Sequence, residues 1–189
     1  MRSLMRSSRR TMSPQLQHEH STRITEKLRS RLVLKHIGCV AGYMANDGEV
    51  DLSNAFKWFQ EHGIRVTVPY LREGVMRFAL LQPKQRLLRG PFGIREPDYI
   101  EQVQMSNIDL ILVPLVAFSS VGERLGRGGG YYDRALDIEN RPLTLGIAHE
   151  FQLSDKFSTS EMDVAMDAIV TENNWRLFNS SMNAVLRAD

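Results

Sequence analysis

A glycine-rich segment in the second half of the chain holds the residues best suited to chemistry. Between Arg124 and Asp133 it places four glycines, two arginines, two tyrosines and a terminal aspartate. Glycine lets the backbone approach a ligand closely, and successive amides in such a turn form an anion-binding concavity. Arginine adds a fork of donors that suits phosphate oxygens, and a carboxylate beside phosphates is a usual ligand of Mg²⁺. The segment therefore predicts a site for phosphates and a divalent cation.

Two well-known phosphate motifs do not fit this segment. No Gly-Lys-[Ser/Thr] follows the glycines, so it is not a Walker A loop, and Tyr131 stands where the dinucleotide fingerprint needs a third glycine. A rival interpretation is that Arg-Gly-Gly-Gly-Tyr-Tyr resembles the disordered tracts that bind RNA by charge and stacking. Such tracts normally repeat, whereas this one occurs once, so we favour the phosphate site.

Apolar periodicity indicates the elements that position the segment. Helices are expected where Ser13 and Pro14 provide a capping hydroxyl and a proline at the first helical position, and where Asp51 precedes an apolar repeat that stops at Gly63. Short buried strands are expected over 37–44, 65–68, 76–81, 108–113, 143–148 and 168–171. Strands separated by helical stretches imply βαβ units and a mainly parallel sheet.

The resulting prediction is an α/β fold in which an open, mainly parallel sheet is flanked by helices in Rossmann-like layers. The chain has 189 residues, 42% of them hydrophobic, which suits one domain with a sizeable core. We find no internal repeat and no domain-sized linker. One domain is therefore expected over residues 1–178, and the Asn- and Ser-rich residues 179–189 are expected to form a frayed tail.

Charge and cysteine content indicate the setting. The formal net charge of +2 permits an anionic substrate and gives no reason to expect a nucleic-acid partner. Cys39 is the one cysteine, so no internal disulfide can form, and a cytoplasmic location is expected. No apolar run reaches the ~18 residues of a membrane-spanning helix. The Arg- and Ser-rich start could instead be an organellar transit peptide, but we favour a basic first helix.

The glycine-rich segment is part of a longer pattern that resembles the 5-formyltetrahydrofolate cyclo-ligase family, also called methenyltetrahydrofolate synthetases. Pro-x-x-Ala-Phe, followed by Gly-x-Arg-Leu-Gly-x-Gly-x-Gly-Tyr-Tyr-Asp-Arg, runs from Pro114 to Arg134. The similarity extends over most of the chain, and its other matching segments are the basic N-terminal helix, Asp47-Gly-Glu-Val-Asp51, Val68-Pro69, Met76-Arg-Phe78, Gly146-Ile-Ala-His-Glu-Phe-Gln152, Met162-Asp163 and Met166-Asp167.

The resemblance implies an open α/β fold and a defined reaction. ATP and Mg²⁺ would drive the cyclisation of 5-formyltetrahydrofolate to 5,10-methenyltetrahydrofolate, with release of ADP and phosphate. The expected partners are thus 5-formyltetrahydrofolate and ATP, and the oligomeric state stays open with a monomer favoured. Phosphoryl transfer needs positioning and charge neutralisation more than covalent help from the protein, so the lack of a Ser/His/Asp signature is no objection.

The resemblance also implies roles for individual residues. The catalytic pair, which would neutralise phosphate charge, is Arg124 and Arg127. The Mg²⁺ ligands would be Asp133 and Asp163, and the folate contacts would be Met44 and Glu49. The ATP-binding residues that the resemblance implies are Arg2, Arg124, Leu125, Gly126, Arg127, Gly128, Gly129, Gly130, Tyr131 and Tyr132.

Two departures from the family pattern keep another class of function open. Ser119 stands where the family usually has Asp after Ala-Phe, and the Lys that the family often places four residues before the position of Arg2 is not in the chain. The alternative is a catalytically silent relative that binds nucleotide, folate or RNA as a regulatory module. If the family's Asp only caps a turn, Ser can replace it.

The histidines carry less information. His18 and His20 would point about 200° apart on a helix, so a solvated face is favoured over a metal site. His149 follows a predicted strand in one of the segments that match the family, so it is a further candidate for the lining of the site.

Overall fold

The computed structural model describes residues 1–160 and 163–187, apart from the side chain of Phe92. Its helices are α1 (Arg2–Thr11), α2 (Pro14–Arg31), α3 (Ser53–Glu61) and α4 (Tyr131–Leu136). The strands of the central sheet are β1 (Cys39–Ala41), β2 (Arg65–Arg72), β3 (Val75–Leu80), β6 (Gln102–Val103), β7 (Leu110–Pro114), β10 (Leu143–Ile147), β11 (Ala168–Val170) and β12 (Trp175–Leu177). Two small antiparallel pairs are β4 (Leu87–Arg89) with β5 (Arg95–Pro97), and β8 (Ala117–Phe118) with β9 (Arg124–Leu125).

The central sheet has eight strands in the order β12-β11-β10-β7-β1-β2-β3-β6. The strands from β11 to β2 run parallel, and antiparallel strands close both edges. The predicted open, mainly parallel sheet flanked by helices is confirmed. From β1 the chain continues to β2 on one side and later reaches β7 on the other, so the strand order reverses between β1 and β7. Loops diverge at such a point and leave a crevice.

Strand β7 shows how the sheet is buried on both faces. Leu110 and Leu112 belong to a core cluster that includes the apolar residues of α2 and α3. Ile111 and Val113 belong to a second cluster, which includes Leu136 of α4. Because successive side chains of a strand point to opposite faces, the two clusters lie on the two sides of the sheet. A strand buried this way reads as a continuous apolar run, which is why its sequence is informative.

The helix boundaries follow the predicted chemistry closely. Ser13 caps α2, because its hydroxyl oxygen accepts a hydrogen bond from the amide of Leu16 at 3.2 Å. Helix α3 ends just before Gly63, which has a φ of +75°. The N-cap residue of α3 is Leu52. Asp51 lies one residue earlier, and its side chain accepts a hydrogen bond from the amide of Ser53 at 2.9 Å. None of the helices in the described ranges is both long and apolar enough to cross a bilayer.

The predicted end of β2 at Val68 is wrong, because the strand continues through Pro69 to Arg72. Strand β1 pairs with β2 only as far as Thr67. Beyond that point one edge of β2 has no neighbouring strand, so the backbone N–H that Pro69 lacks leaves no hydrogen bond unmade. Strand β1 is also shorter than its predicted range of 37–44, since the chain leaves the sheet after Ala41. The strands that the sequence missed, β4, β5, β6, β8, β9 and β12, have only two or three residues each.

The tail predicted to be frayed is packed where the structure describes it. Ser180–Val185 forms a 3₁₀ segment whose Met182 and Val185 are buried in the same core cluster as α2 and α3. The amide of Arg187 donates to the carbonyl of Arg31 at 2.8 Å. The Asn- and Ser-rich composition concealed two apolar residues three positions apart, which is enough to cover the end of the core. Residues 188–189 lie outside the described part.

Helix α1 is attached to the rest of the fold through charge. Its buried residue is Arg9, which donates from Nε to the carbonyl of Asp47 and from Nη1 to the carbonyl of Leu115, both at 3.1 Å. The Asp47 carboxylate also pairs with Arg6 (Nε–Oδ2 2.6 Å), Arg10 and Arg127 (Nη2–Oδ2 3.6 Å). Arg9 therefore ties the turn after β1 to the loop after β7, across the switch point of the sheet.

The arginines keep Asp47 ionised. Burial alone would raise the pKa of this carboxyl, but the hydrogen bonds from Arg6 and Arg10 and the nearby charges outweigh it, and the pKa falls from 3.8 to about 2. Asp47 adopts a left-handed conformation with a φ of 58°, which Asp and Asn tolerate better than most residues. The position thus suits a residue that turns the chain and at the same time neutralises several guanidinium groups.

We expect Asp47→Asn to lower the free energy of unfolding at pH 7 by about 1–2 kcal/mol, the linkage value after allowance for solvent screening. Because the pKa is depressed on folding, this stabilisation is present above pH ~4 and is lost as the pH falls toward ~2. Denaturant unfolding at several pH values measures the difference from the wild-type protein. Asp98→Asn, at an exposed carboxylate, is the control and should change little. A difference that stays constant from pH 7 to pH 2 would contradict the assignment.

Candidate active site

A cavity of about 260 Å³ opens where the strand order reverses. Tyr43 and Met44, just after β1, and Pro114 and Leu115, at the end of β7, lie on its wall. Ligands of open α/β sheets bind outside the carboxyl ends of the strands at this kind of position. The remaining lining residues are Arg2, Glu49, Pro69, Tyr70, Leu71, Met76, Pro91, Ile94, Glu96, Arg124, Gly126, Arg127, Gly128, Gly129, Gly130, Tyr131, Tyr132, Asp133 and Asp163.

The structure brings together all the residues to which the family resemblance assigned a role, with the exception of Leu125. Leu125 is buried in the β8–β9 pair, and its carbonyl accepts from the amide of Val116 at 2.8 Å. Leu125 therefore holds the start of the glycine-rich segment through its buried side chain and its backbone hydrogen bond, and it does not line the cavity. The segment itself is an ordered turn between β9 and α4, unlike the disordered tract of the rival interpretation.

The backbone of the glycine-rich turn needs glycine at two positions in particular. Gly128 has a φ of +96°, which side-chain-bearing residues rarely adopt. A Cβ on Gly126 would lie 2.7 Å from Nη1 of Arg124, so any side chain there would displace that guanidinium. The carbonyl of Gly126 also accepts from Nε of Arg2 at 2.9 Å, which joins helix α1 to the turn. Conformation and close approach together explain this run of glycines.

Arg124 and Asp133 form the charged centre of the cavity wall. Arg124 is almost fully buried, its Nη2 pairs with Oδ1 of Asp133, and its guanidinium lies 5.9 Å from the centre of the Tyr132 ring. Two of the buried polar atoms here, Nε of Arg124 and the Tyr132 hydroxyl, have no hydrogen-bond partner in the described part of the chain. Burial raises the pKa of Tyr132, so its hydroxyl stays a donor. Unsatisfied buried groups of this kind fit a wall that a polar ligand completes.

Two carboxylates can hold a divalent cation beside the glycine-rich turn. The contacts of Asp133 in the described residues, from Arg124 and from the amide of Val164 at 3.4 Å, both fall on Oδ1, so Oδ2 is available. Asp163 is exposed, and the hydrogen bond from the Ser160 backbone lowers its pKa. Both residues also line a smaller adjoining cavity of about 150 Å³. Carboxylate oxygens next to a phosphate-binding turn suit Mg²⁺, which keeps several waters.

Glu49 is a buried carboxylate that also lines the cavity. Its Oε2 accepts from the amide of Asn46 at 3.0 Å, and its Oε1 lies 3.8 Å from Nη2 of Arg9. Burial raises the pKa of Glu49, with Arg9 acting in the opposite direction. Tyr43 supports the same turn, because its hydroxyl donates to the carbonyl of Val50 at 3.0 Å. The carboxylate is thus held in place with acceptor capacity left over.

An apolar wall completes the cavity, and most of it was missed by the sequence interpretation. Tyr70 and Met76 come from the β2–β3 hairpin, and Ile94 comes from the turn between β4 and β5. Glu96 fastens this turn to the hairpin, since its Oε1 accepts from the amide of Leu71 at 3.1 Å. The available signal was that Val68-Pro69 and Met76-Arg-Phe78 match the family pattern. An apolar residue in an edge hairpin carries no chemical signature of its own.

Ser119 lies outside the cavity and has a local role. Its hydroxyl oxygen accepts from the amide of Glu123 at 3.0 Å, so it caps the turn between β8 and β9. Serine and aspartate are both suited to this role, which removes the main reason to expect that the departure from the family pattern impairs the site.

Two histidines, His149 and His20, lie in surroundings that differ from those suggested by the sequence. His149 is fully buried and is absent from the lining of the main cavity, and its Nε2 donates to the carbonyl of Gly48 at 3.1 Å. Burial lowers the pKa of His149 to about 4. The solvated face expected for His20 is wrong, because its Nδ1 lies 3.0 Å from Nδ1 of His149. His18, on the opposite side of α2, is exposed as expected.

Comparisons with known proteins agree with this architecture. The profile of the 5-formyltetrahydrofolate cyclo-ligase family matches residues 1–172. The 5-formyltetrahydrofolate cyclo-ligase of Escherichia coli (strain K12) is 31% identical over 175 residues, which cover 89% of this chain and 96% of that protein.

Two solved structures share the fold. The solution NMR structure of the Aquifex aeolicus 5,10-methenyltetrahydrofolate synthetase superposes with a TM-score of 0.83 at 32% identity, covering 94% of this chain and 90% of that one. The Mycoplasma pneumoniae 5,10-methenyltetrahydrofolate synthetase gives a TM-score of 0.74 at 26% identity, covering 90% and 96%. With a family match over most of its length, a relative above 30% identity and the same fold, the chain belongs to the 5-formyltetrahydrofolate cyclo-ligase family.

Proposed function

We propose that this chain catalyses the ATP- and Mg²⁺-dependent cyclisation of 5-formyltetrahydrofolate to 5,10-methenyltetrahydrofolate. The observation that carries the proposal is that one cavity at the switch point of the sheet joins a glycine-rich turn, two carboxylates, several arginines and an apolar wall. Each part suits one part of the two substrates. The family to which the chain belongs is named for this reaction.

The phosphates of ATP are assigned to the turn from Gly126 to Gly130. Its amides, together with Arg124, Arg127 and Arg2, supply donors and positive charge on one side of the cavity. Arg124 needs no reorganisation when a phosphate arrives, because Asp133 already fixes its guanidinium. Preorganised donors of this kind account for most of the electrostatic stabilisation in transfer reactions.

Asp133 and Asp163 would hold Mg²⁺ at the edge of the phosphate site. When bound, the ion neutralises charge on the β- and γ-phosphate oxygens. The contribution of the protein is to present two carboxylates, Asp133 from the first turn of α4 and Asp163 from a loop, the former already oriented through its Oδ1 by Arg124. The small adjoining cavity leaves room for the waters that Mg²⁺ retains.

The folate is assigned to the remaining half of the cavity. Met44, Met76 and Tyr70 offer apolar surface for a flat ring system, and Glu49 offers a fixed acceptor for its N–H groups. The cost of burying Glu49 without a full partner is shown by the upward shift of its pKa. A donor on the bound folate would offset that cost, which makes this carboxylate a discriminating contact.

The chemistry then requires positioning and charge neutralisation. The formyl oxygen attacks the γ-phosphorus of ATP, the bond from phosphorus to the bridging oxygen breaks, and ADP leaves. N10 attacks the activated formyl carbon and loses its proton to solvent. This attack closes the ring, and the carbon–oxygen bond then breaks as phosphate departs, which leaves the methenyl bridge. Arg124 and Arg127 stabilise the charge on the phosphoryl group in both steps, and the nucleophiles belong to the substrates.

We also propose a cytoplasmic location. Cys39 is a fully buried thiol whose pKa is raised by burial, so it is an inert part of the core and suits a reducing compartment.

Purified protein mixed with 5-formyltetrahydrofolate, ATP and Mg²⁺ should develop the near-ultraviolet absorbance of the methenyl product, because the new conjugated bridge absorbs where the substrate does not. Omission of ATP, or addition of excess chelator, should abolish the rise. Folded protein that gives no absorbance change over a wide range of substrate concentrations would overturn the proposed activity.

Asp133→Asn should reduce kcat by about 100-fold or more, since it weakens both a cation ligand and the orientation of Arg124. The concentration of Mg²⁺ needed for half-maximal activity should rise. Asp137→Asn, at another carboxylate that lines only the smaller cavity, is the matched control and should retain most of the activity. Equal kinetics in the two variants, measured over a Mg²⁺ titration, would refute the metal role of Asp133.

Glu49→Gln should weaken the binding of 5-formyltetrahydrofolate by about tenfold, the loss of roughly 1.4 kcal/mol, because an amide replaces a charged acceptor. The affinity for a non-hydrolysable ATP analogue should stay the same, which provides an internal control for folding. Calorimetric titration with each ligand separates the two effects. A Glu49→Gln protein with unchanged folate affinity would reject this contact.

A further inference from the structure

A second cluster of potential ligands lies outside the cavity. His20 of α2, His149 after β10 and Glu172 after β11 place one ligand atom each within 4.8 Å of one another. Nδ1 of His20 is 3.0 Å from Nδ1 of His149 and 3.6 Å from Oε1 of Glu172. His149 and Glu172 are buried, and His20 is mostly buried. Three elements far apart in the sequence thus converge on one point.

The hydrogen bonds of His149 decide which of its nitrogens can act as a ligand. Its Nε2 lies 3.1 Å from the carbonyl oxygen of Gly48, which can only accept, so Nε2 carries the proton. In the neutral ring Nδ1 is then a bare lone pair, and it faces His20. Metal-binding histidines typically donate their other ring N–H to a carbonyl or carboxylate, which fixes the ring as Gly48 does here. Phe151 stacks on His149 with its ring centre 5.5 Å away and restrains the ring further.

The carboxylate of Glu172 is also held in a fixed orientation, and in the described part of the chain it forms no ion pair with a lysine or an arginine. Its carboxylate oxygens accept from the amide of Glu150 at 3.0 and 3.3 Å. Arg176, the nearby guanidinium, pairs instead with Glu150 through contacts of 2.5 and 3.1 Å. Within the described ranges no lysine or arginine nitrogen comes within 4 Å of Glu172, although the charge of Lys27 acts on it from further away. A buried carboxylate next to two imidazoles therefore has an open demand for positive charge.

We propose that His20, His149 and Glu172 form a binding site for one divalent transition-metal ion of the Zn²⁺ class, with water as the fourth ligand. Ligands at about 2.0–2.1 Å in a tetrahedron lie roughly 3.3 Å apart. Two of the three separations, 3.0 and 3.6 Å, bracket this value, and the third, between His149 and Glu172, is no more than 4.8 Å, so the three side chains would close in on the ion. Two imidazole nitrogens with one carboxylate favour Zn²⁺, Co²⁺ or Ni²⁺ over Mg²⁺.

The site differs from the Mg²⁺ site proposed above in place and in ligand chemistry. None of its three residues lines the main cavity. It is linked to the cavity through Gly48, whose neighbours in the chain are Asp47 and Glu49. An ion held by His149 would fix the imidazole that supports this turn. The metal would therefore stabilise the fold around the active site without taking part in the reaction.

Titration of the purified protein with Co²⁺ and with Zn²⁺ tests the site directly. Excess Mg²⁺ is present and nucleotide is left out, so that carboxylate sites for hard cations are already filled. We expect one equivalent of Co²⁺ to give the visible absorption bands of a tetrahedral ion, one equivalent of Zn²⁺ to displace it, and Zn²⁺ to raise the midpoint of thermal unfolding.

The variants make the assignment specific. His20→Ala should raise the Kd for Zn²⁺ by at least about tenfold and abolish the thermal shift, as loss of a ligand demands. His18→Ala, at the exposed histidine two positions away on the same helix, should bind as the wild-type protein does. Glu172→Gln provides a second test if His20→Ala folds poorly. The proposal would be overturned if the wild-type protein did not bind one equivalent of Zn²⁺. It would also be overturned if the His20→Ala and Glu172→Gln proteins both bound as tightly as His18→Ala.

Discussion

The rest of this site depends on the ion pairs that the carboxylate of Asp47 makes with arginine side chains. This carboxylate accepts from Arg6 and Arg9, pairs with Arg10, and lies near Arg127 of the glycine-rich segment. Arg9 in turn reaches the carbonyl of Leu115, so charge and hydrogen bonds join helix α1, the turn after β1 and the loop after β7. Several arginines can crowd together beside a phosphate site only because this negative charge holds their repulsion in check. Without it helix α1 would lose its ion pairs from Arg6 and Arg10 to the turn after β1, and the charge of Arg127 would lose its nearby counter-charge.

The fold divides rigidity and chemistry between different parts of the chain. The parallel strands are buried on both faces and provide a fixed frame. The charged residues of the cavity lie outside these strands: Glu49, Arg127 and Asp163 are on loops, Arg2 and Asp133 are on helices, and Arg124 and Glu96 are on the short strands β9 and β5. Hydrogen bonds between these segments hold them in place. Arg2 of α1 donates to the carbonyl of Gly126, and Glu96 of β5 accepts from the amide of Leu71 in β2. Arg124 with Asp133, and Arg9 with Asp47, show the same principle, in which an acidic residue fixes the guanidinium of a buried arginine. Of these two arginines, Arg124 lines the cavity.

The sequence was sufficient for the sheet and for the polar half of the site, for physical reasons. Apolar runs such as that of β7 identify buried strands, and the glycine-rich segment has a composition that few other functions require. Pairings between distant residues could not be predicted, because Arg9 with Asp47, or His20 with His149, depends on crossing geometry that no local pattern encodes. Parts of the apolar wall were missed because Tyr70 lies beyond Val68, where the strand was expected to end, and because Ile94 lies between β4 and β5, two strands of three residues that bury too little to leave a periodic signal. The packing of Met182 and Val185 escaped notice because two apolar residues in a polar tail resemble chance.

Calorimetric titration of a non-hydrolysable ATP analogue with Mg²⁺ into the wild-type and Asp47→Asn proteins tests the central claim most directly, because the two possible roles of Asp47 predict opposite signs. If this carboxylate anchors the arginines and the turn, its loss disorders the phosphate site, and the analogue should bind several-fold more weakly. If it were merely a negative charge near the phosphates, removing it would strengthen binding. Affinity that stays equal or increases in the Asp47→Asn protein would contradict the account.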